Sequence, residues 1–157
     1  MTEILEHLSD KTSDYRVALI DYRDYSSRSG YSSDYPYKVQ LHFTNNNANI
    51  ENAINRLNLG NGGDTEETVY SALMAAVRLD WRSDAKKVII ILGDAAPLDP
   101  EPETGYTYDD VLLALFSAEI ALDYDDSDSH LRFSHSRSLI PAYAGTDDLR
   151  QHKCLSI

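Results

Sequence analysis

The stretch KKVIIILGDAAP, residues 86–97, decides the fold class of this 157-residue chain. Its central residues 88–92 are all apolar, which is typical of a β-strand that is buried on both faces. Strands of this kind pair in parallel with their neighbours, in sheets that helices cover on both sides. The run stops at Gly93 and Asp94, and Pro97 marks a turn. A carboxylate therefore follows the carboxyl end of a predicted central strand.

The sequence on either side of this strand alternates between strand and helix patterns. YRVALIDYRDY (15–25) predicts a strand, and YKVQLHFT (37–44) has the period-two alternation of a half-buried edge strand. A weaker last strand is predicted at SLIPAYAGTDD (138–148). Helices are predicted over residues 2–8, 49–60, 62–81 and 106–122. We expect an α/β fold: one doubly wound, mostly parallel sheet with one antiparallel edge strand and helices on both faces.

Length and charge narrow the class of protein further. The length suits a single domain over residues 1–157. A net charge of −12 disfavours binding to nucleic acid or to anionic lipid. No apolar run approaches the roughly 20 residues that a membrane-spanning helix needs, and the first residues lack a secretory signal pattern. The single cysteine, Cys154, carries no information on the compartment, so the localisation stays unknown.

The position of Asp94 suggests a cation site. In open α/β sheets, ligands bind beyond the carboxyl ends of the parallel strands. The loop NGGDTEE (61–67) leads into a helix whose N-terminus is expected at the same edge. Carboxylate and hydroxyl oxygens from these two segments would suit a hard divalent cation such as Mg²⁺.

Four segments in this order resemble the von Willebrand factor type A domain: RVALIDYRDY, YKVQLHFT, GGDTEETVYSAL and VIIILGDAAP. The resemblance implies a metal ion-dependent adhesion site, in which a bound Mg²⁺ takes a partner's acidic residue as a ligand, with Mn²⁺ or Ca²⁺ as substitutes. It assigns Asp94 and Thr65 as metal ligands, and Asp64 competes with Thr65 for its place. The intact domain would act in cation-dependent adhesion.

The chain also departs from that family. The family's first strand and its Asp-x-Ser-x-Ser loop would precede residues 2–10, so the resemblance implies a domain truncated at the N-terminus and at the C-terminus. We therefore expect any Mg²⁺ affinity to be weak. A literal DDSDS occurs at residues 125–129, and chance composition explains it adequately. Without the first strand, two interior strand edges need partners: they pair directly, a second copy donates a strand, or the fold is marginal, and we favour closure or a homodimer.

Each predicted ligand also has a purely structural explanation. Asp94 can organise the turn that Pro97 completes. Asp64 and Glu67 have the spacing of a helix capping box, which we favour over metal ligation for Asp64. Thr65 can be an ordinary residue of the first helical turn.

The loop YRDYSSRSGYSSDYPY (22–37) has the composition of a binding loop. Tyrosine supplies rigid contact area and serine supplies adaptable hydrogen bonds, and the loop is expected at the same edge as Asp94. We predict that Tyr25, Tyr31, Tyr35 and Arg28 contact a partner. The alternative is a solvent-exposed connection without a function of its own.

Three functions follow from the sequence. The first is a non-enzymatic, protein-binding module of the adhesion type, with a partial or degenerate cation site. The second is a metal-free scaffold or remnant domain that interacts through loops or strand edges. The third is a metal-assisted hydrolase, which is disfavoured because the sequence has no nucleophile elbow, phosphate-binding loop or paired His-carboxylate motif.

Overall fold

The computed structural model describes residues 2–58, 66–93, 95–125 and 153–156. In chain order its strands are β1 (Val17–Tyr22), β2 (Tyr37–Thr44), β3 (Glu66–Glu67), β4 (Lys87–Leu92), β5 (Ala96–Pro97), β6 (Ile120–Asp125) and β7 (Lys153–Ser156). Its helices are α1 (Thr2–Lys11), α2 (Ser26–Ser29), α3 (Asn47–Asn55), α4 (Val69–Val77) and α5 (Tyr108–Ser117).

The main sheet has five strands in the order β2-β1-β7-β4-β6. Strands β4 and β6 pair in parallel, and β1 points in the same direction because β1 and β4 are both antiparallel to β7. Strand β2 is antiparallel to β1, as its sequence predicted for an edge strand. The α/β class is confirmed. The prediction of a mostly parallel sheet with one antiparallel edge strand is wrong, because the central β7 is antiparallel as well and only β4 and β6 pair in parallel in this sheet.

The centre of the sheet differs from the expectation. Strand β7 lies between β1 and β4: residues 18–20 of β1 face residues 154–156, and residues 89–92 of β4 face residues 153–156. Of the two outcomes that we favoured for the strand edges beside the gap, direct pairing of the flanking strands is therefore wrong, and the homodimer stays a prediction. The C-terminal strand supplies the backbone partners that both edges need.

Helices cover both faces of β1. On one face, Ile20 and Tyr22 join the core that α4 and α5 form with β4. On the other face, Val17 and Leu19 pack against apolar residues of α1 and α3. This alternation follows from the pleat, which points successive side chains to opposite sides of a strand.

The predicted helix over residues 106–122 is wrong in its last part. Helix α5 ends at Ser117, Glu119 adopts a positive φ of 56°, and β6 begins at Ile120. Pairing with β4 and the burial of Ile120 outweigh the apolar helical pattern that continues through this segment.

The helix predicted over 62–81 also begins later. Helix α4 starts at Val69 after the N-cap residue Thr68, and residues 66 and 67 form β3 instead. The strand predicted over 138–148 and the Asp64 part of the predicted capping box lie outside the described residues. In the part of the chain that the structure describes, no helix is long and apolar enough to cross a membrane.

Candidate binding surface at the carboxyl rim

Three segments meet beyond the carboxyl ends of β1 and β4, and we call this surface the carboxyl rim. They are the loop 23–36, the small parallel sheet of β3 with β5, and the loop 98–106. Glu66 pairs with Ala96 and Glu67 with Pro97, and the Leu98 amide donates to the Glu67 carbonyl at 3.0 Å. The segment before α4 is thereby fastened to the segment after β4.

The predicted metal ligands Asp94, Thr65 and Asp64 lie outside the described residues. Their chain neighbours are described, however: Thr65 directly precedes Glu66, and Asp94 stands two residues before Ala96. Glu66 and Ala96 are partners in the parallel pairing of β3 with β5. Among the described residues, no three His, Cys, Asp or Glu side chains form a group that could hold a metal ion.

A charged cluster around Arg23 anchors the loop 23–36. The guanidinium lies 4.0 Å from the carboxylate of Asp21 and 3.7 Å from that of Asp34, and it donates to the Asn58 carbonyl at 3.0 Å. It also lies over the Tyr35 ring, 4.6 Å from the centroid. Both carboxylate side chains are buried, at 5% and 1% exposure. Because water hardly reaches them, they depend on the positive charge of the guanidinium for their stabilisation.

Two further contacts complete this cluster. The Tyr35 hydroxyl donates a short hydrogen bond to Asp21, and the Lys38 ammonium lies 3.6 Å from the centroid of the same ring. Burial, together with the charge of Asp21, raises the pKa of Tyr35 to about 12. Asp34 differs from Asp21, because neither of its oxygens accepts a hydrogen bond from any other described residue.

The fully buried Thr68 ties the same loop to the start of α4. Its amide and its hydroxyl both donate to the carbonyl of Arg23, at 2.9 and 2.6 Å, and the hydroxyl also lies 2.6 Å from the Pro36 carbonyl. Both ends of the loop 23–36 are therefore held by one residue at the N-terminus of a core helix.

A second cluster surrounds Glu101, which is only 1% exposed. One carboxylate oxygen accepts the Ser71 amide at 2.8 Å. The other accepts the Ser71 hydroxyl in a short bond, the Tyr25 hydroxyl at 3.0 Å and the Thr104 hydroxyl at 3.1 Å. In the described part of the chain, no basic side chain pairs with this carboxylate.

The Glu101 cluster also shapes its own loop. The Glu101 amide donates to the Tyr106 carbonyl at 2.9 Å, and the Gly105 amide donates back to the Glu101 carbonyl at 2.8 Å. Gly105 has a φ of 70°, a left-handed conformation that a residue without a Cβ adopts at little cost. Burial raises the pKa of Tyr25, which links this loop to the end of β1.

The four predicted partner contacts are placed very differently. Tyr31 is 43% exposed, whereas Tyr25 is 3% exposed and belongs to the core beside Glu101. Tyr35 is half-buried in the Arg23 cluster. Arg28 is exposed on α2 and pairs with Asp24 at 3.7 Å and with Glu66 at 2.9 Å. Tyr31 and Arg28 are thus the two that reach the surface of the rim.

Sequence reasoning missed the two residues that organise the rim. Asp21 and Asp24 stand close to Arg23 in the sequence, whereas its buried partner Asp34 lies further along the chain. Glu101 lies in the proline-rich stretch PLDPEPETG, whose composition is typical of an exposed turn. The sequence signal for Glu101 is weak, because its partner Ser71 is 30 residues away and carries no motif of its own.

Comparisons of this chain with protein-family models, with curated proteins and with solved structures find no match.

Proposed function

We propose that the chain is a non-enzymatic, protein-binding module that resembles the von Willebrand factor type A domain and uses the carboxyl rim as its binding surface. The observation that carries this proposal is the β3–β5 pairing. It joins the segments that follow Thr65 and Asp94 in the sequence, the two residues that the family resemblance names as metal ligands. A doubly wound arrangement of this family would bring the same two loops together.

The preorganised loop beside this pairing supports a binding role. The Arg23 cluster and Thr68 hold the loop 23–36 at several points, while Tyr31 stays exposed and Arg28 lies at the surface. A fixed loop loses less conformational entropy when it meets a partner than a free one does. Tyrosine and arginine are also the residue types that contribute most to protein interfaces.

The proposed binding surface includes a weakly bound divalent cation. We propose that Asp94, with Thr65 or Asp64, holds Mg²⁺, or Mn²⁺ or Ca²⁺ in its place, and that a partner supplies an acidic residue. The described carboxylates of the rim do not add to this set: Asp24 faces Arg28, and Asp21 faces Arg23 and Tyr35. Bound cation would fix the two loops and offer a positive charge to the partner's carboxylate.

Thermal unfolding with and without metal tests this proposal. A ligand that binds only the folded state stabilises it, by about 1.4 kcal/mol at ten times Kd, which raises Tm by about 3–5 °C for a domain of this size. We expect Mg²⁺ or Mn²⁺ at ~10 mM to raise Tm relative to excess chelator, and Asp94→Ala to abolish the increase. Asp84→Ala is the matched control, because Asp84 is an exposed carboxylate near the opposite end of β4.

Identical melts in metal and chelator would contradict the cation site. That result would favour the second candidate, a metal-free scaffold that interacts through its loops or through exposed strand edges. The exposed pattern of the edge strand β2 is the specific observation for this alternative.

A further inference from the structure

The space between β1 and β4 is a slot for one strand. Strands β1 and β4 run in the same direction and do not pair with each other, and β7 fills the slot in the opposite direction. Strand β7 has four residues, whereas β1 and β4 have six each. Two core strands therefore depend on a short third strand for their inner backbone hydrogen bonds.

No hairpin connects β7 to either neighbour in the slot. Residues 126–152 separate it from β6, a length of 27 residues that can span up to about 90 Å when extended. The distance to be bridged is far shorter. Leu92 of β4 faces Asp125 on one side and Lys153 on the other, so the two ends of this connection are two strand spacings apart, about 10 Å.

We propose that this slot is a strand-exchange site, which accepts residues 153–156 of a second copy of the chain in place of its own. The backbone pairing in the slot is the same whichever chain supplies the strand, and the connection is long enough to reach a neighbouring molecule. Reciprocal exchange between two copies is a closed arrangement that needs no new contact surface. It does not depend on the proposed cation site.

The length of the connection also sets the concentration at which exchange occurs. For a connection of 27 residues between its ends, the effective concentration of the chain's own strand is on the order of 1 mM. At protein concentrations near that value, the strand of a second copy therefore competes with the chain's own strand for the slot. At ~10 µM, exchange is rare. Because β7 is central in the sheet, exchange requires unfolding, and the dimer fraction is fixed at refolding.

A disulfide trap reports which chain supplies the strand. Cys154 is the only cysteine, and it faces Ile91 of β4. Facing residues of an antiparallel pair have Cα atoms about 4.5–5.5 Å apart, within the range that a disulfide bridges. The Ile91→Cys variant is refolded at ~10 µM and at ~1 mM, then oxidised, diluted and examined by non-reducing electrophoresis and intact mass. We expect a disulfide within one chain at the low concentration and at least tenfold more disulfide-linked dimer at the high one.

The control is Leu92→Cys, one residue further along β4. Successive residues point to opposite faces of a strand, so this cysteine measures crosslinking that does not depend on the pairing. If Ile91→Cys fails to fold, the triple variant Leu92→Cys, Lys153→Cys, Cys154→Ser tests the adjacent facing pair in the same way. Disulfides confined to single chains at both concentrations overturn the proposal. So does a monomeric mass, by light scattering, for the unmodified chain refolded at ~1 mM.

Discussion

Two buried clusters fasten the carboxyl rim, and they satisfy their carboxylates in opposite ways. Around Arg23, two buried carboxylates face one guanidinium, and Asp34 has no hydrogen bond from another described residue. Around Glu101, one buried carboxylate accepts four hydrogen bonds from described donors and has no basic partner among them. The first cluster depends on opposite charge, and the second depends on the placement of neutral donors.

This difference determines how each cluster fails. Removing the Arg23 guanidinium leaves two buried carboxylates without the cation that both of them face. Removing the charge of Glu101 leaves the shape of the site intact but replaces an acceptor of several hydrogen bonds with a poorer one. The four predictions below test this contrast, beginning with the largest expected loss of stability.

The first prediction concerns Arg23→Ala, which we expect to lower the free energy of unfolding by about 3–4 kcal/mol. The Arg23 side chain is 15% exposed and its two partners are nearly inaccessible, so water screens the loss only slightly. Urea unfolding monitored by circular dichroism measures the change. Arg56→Ala is the matched control, because Arg56 is exposed at the end of α3, and it is expected to cost less than about 0.5 kcal/mol.

Arg23→Lys sharpens the same prediction. Lysine keeps the charge, but it lacks the planar group that lies over the Tyr35 ring. Its compact ammonium group also lacks the spread of donors with which the guanidinium reaches the Asn58 carbonyl while it faces the carboxylates. An intermediate loss is expected. If Arg23→Ala proved as mild as Arg56→Ala, the ion pairs would not anchor the loop.

The second prediction concerns Glu101→Gln, with an expected loss of about 2 kcal/mol. Glutamine has one acceptor oxygen instead of two, and its NH₂ group can only donate, so the Ser71, Tyr25 and Thr104 hydroxyls would have to accept from two N–H groups where they now donate to one oxygen. The same urea measurement applies, and Glu103→Gln is the control, because Glu103 is exposed and accepts only the Ser27 hydroxyl among described side chains. Equal stability of the two variants would mean that the Glu101 charge contributes nothing to the loop.

Local patterns in the sequence predicted most of the sheet but not its centre. The alternation in residues 37–44 fixed the edge strand β2, and the apolar run 88–92 fixed β4. The helix over 106–122 was wrong after Ser117 because the pairing of β6 with β4 is a long-range effect that helical periodicity does not contain. Strand β7 could not be assigned to the slot for the same reason: its partners lie more than 60 residues away in the sequence.

The site was less predictable than the fold. Composition alone suggested that four residues of the loop 22–37 contact a partner, yet the sequence does not reveal that Tyr25 turns inward to Glu101. Burial of a polar side chain depends on donors brought together by folding, as Ser71 and Thr104 are here. The metal ligands Asp94, Thr65 and Asp64 remain predictions from the family resemblance.

The third prediction concerns the Tyr35 hydroxyl and the dependence of the chain's stability on pH. The pKa of Tyr35 is raised to about 12, above the ordinary value of 10, so the folded chain keeps this proton where the unfolded chain loses it. The stabilisation is complete below pH 10 and is lost as pH rises from 10 to 12. At neutral pH, we expect the wild type to be about 1 kcal/mol more stable than Tyr35→Phe. Thermal melts should show this advantage of the wild type decreasing as the pH rises from 10 to 12. A difference that stays constant with pH would contradict the raised pKa.

The smallest effect is expected at Asp110, a fully exposed carboxylate that extends the comparison to the surface. The Thr107 amide and hydroxyl both donate to it, at 3.0 and 2.6 Å, in the capping box that begins α5. These bonds lower the pKa of Asp110 below its ordinary value of 3.8, so its contribution is present above that value and is lost as the pH falls through the folded pKa. We expect Asp110→Asn to lower Tm slightly at neutral pH and to lower it less as the pH falls below 3.8, with Asp109→Asn as the control in the same helical turn. If Asp110→Asn lowered the stability more than Glu101→Gln does, the exposed carboxylate would contribute more than the buried one. Burial would then not determine how much these carboxylates stabilise the fold.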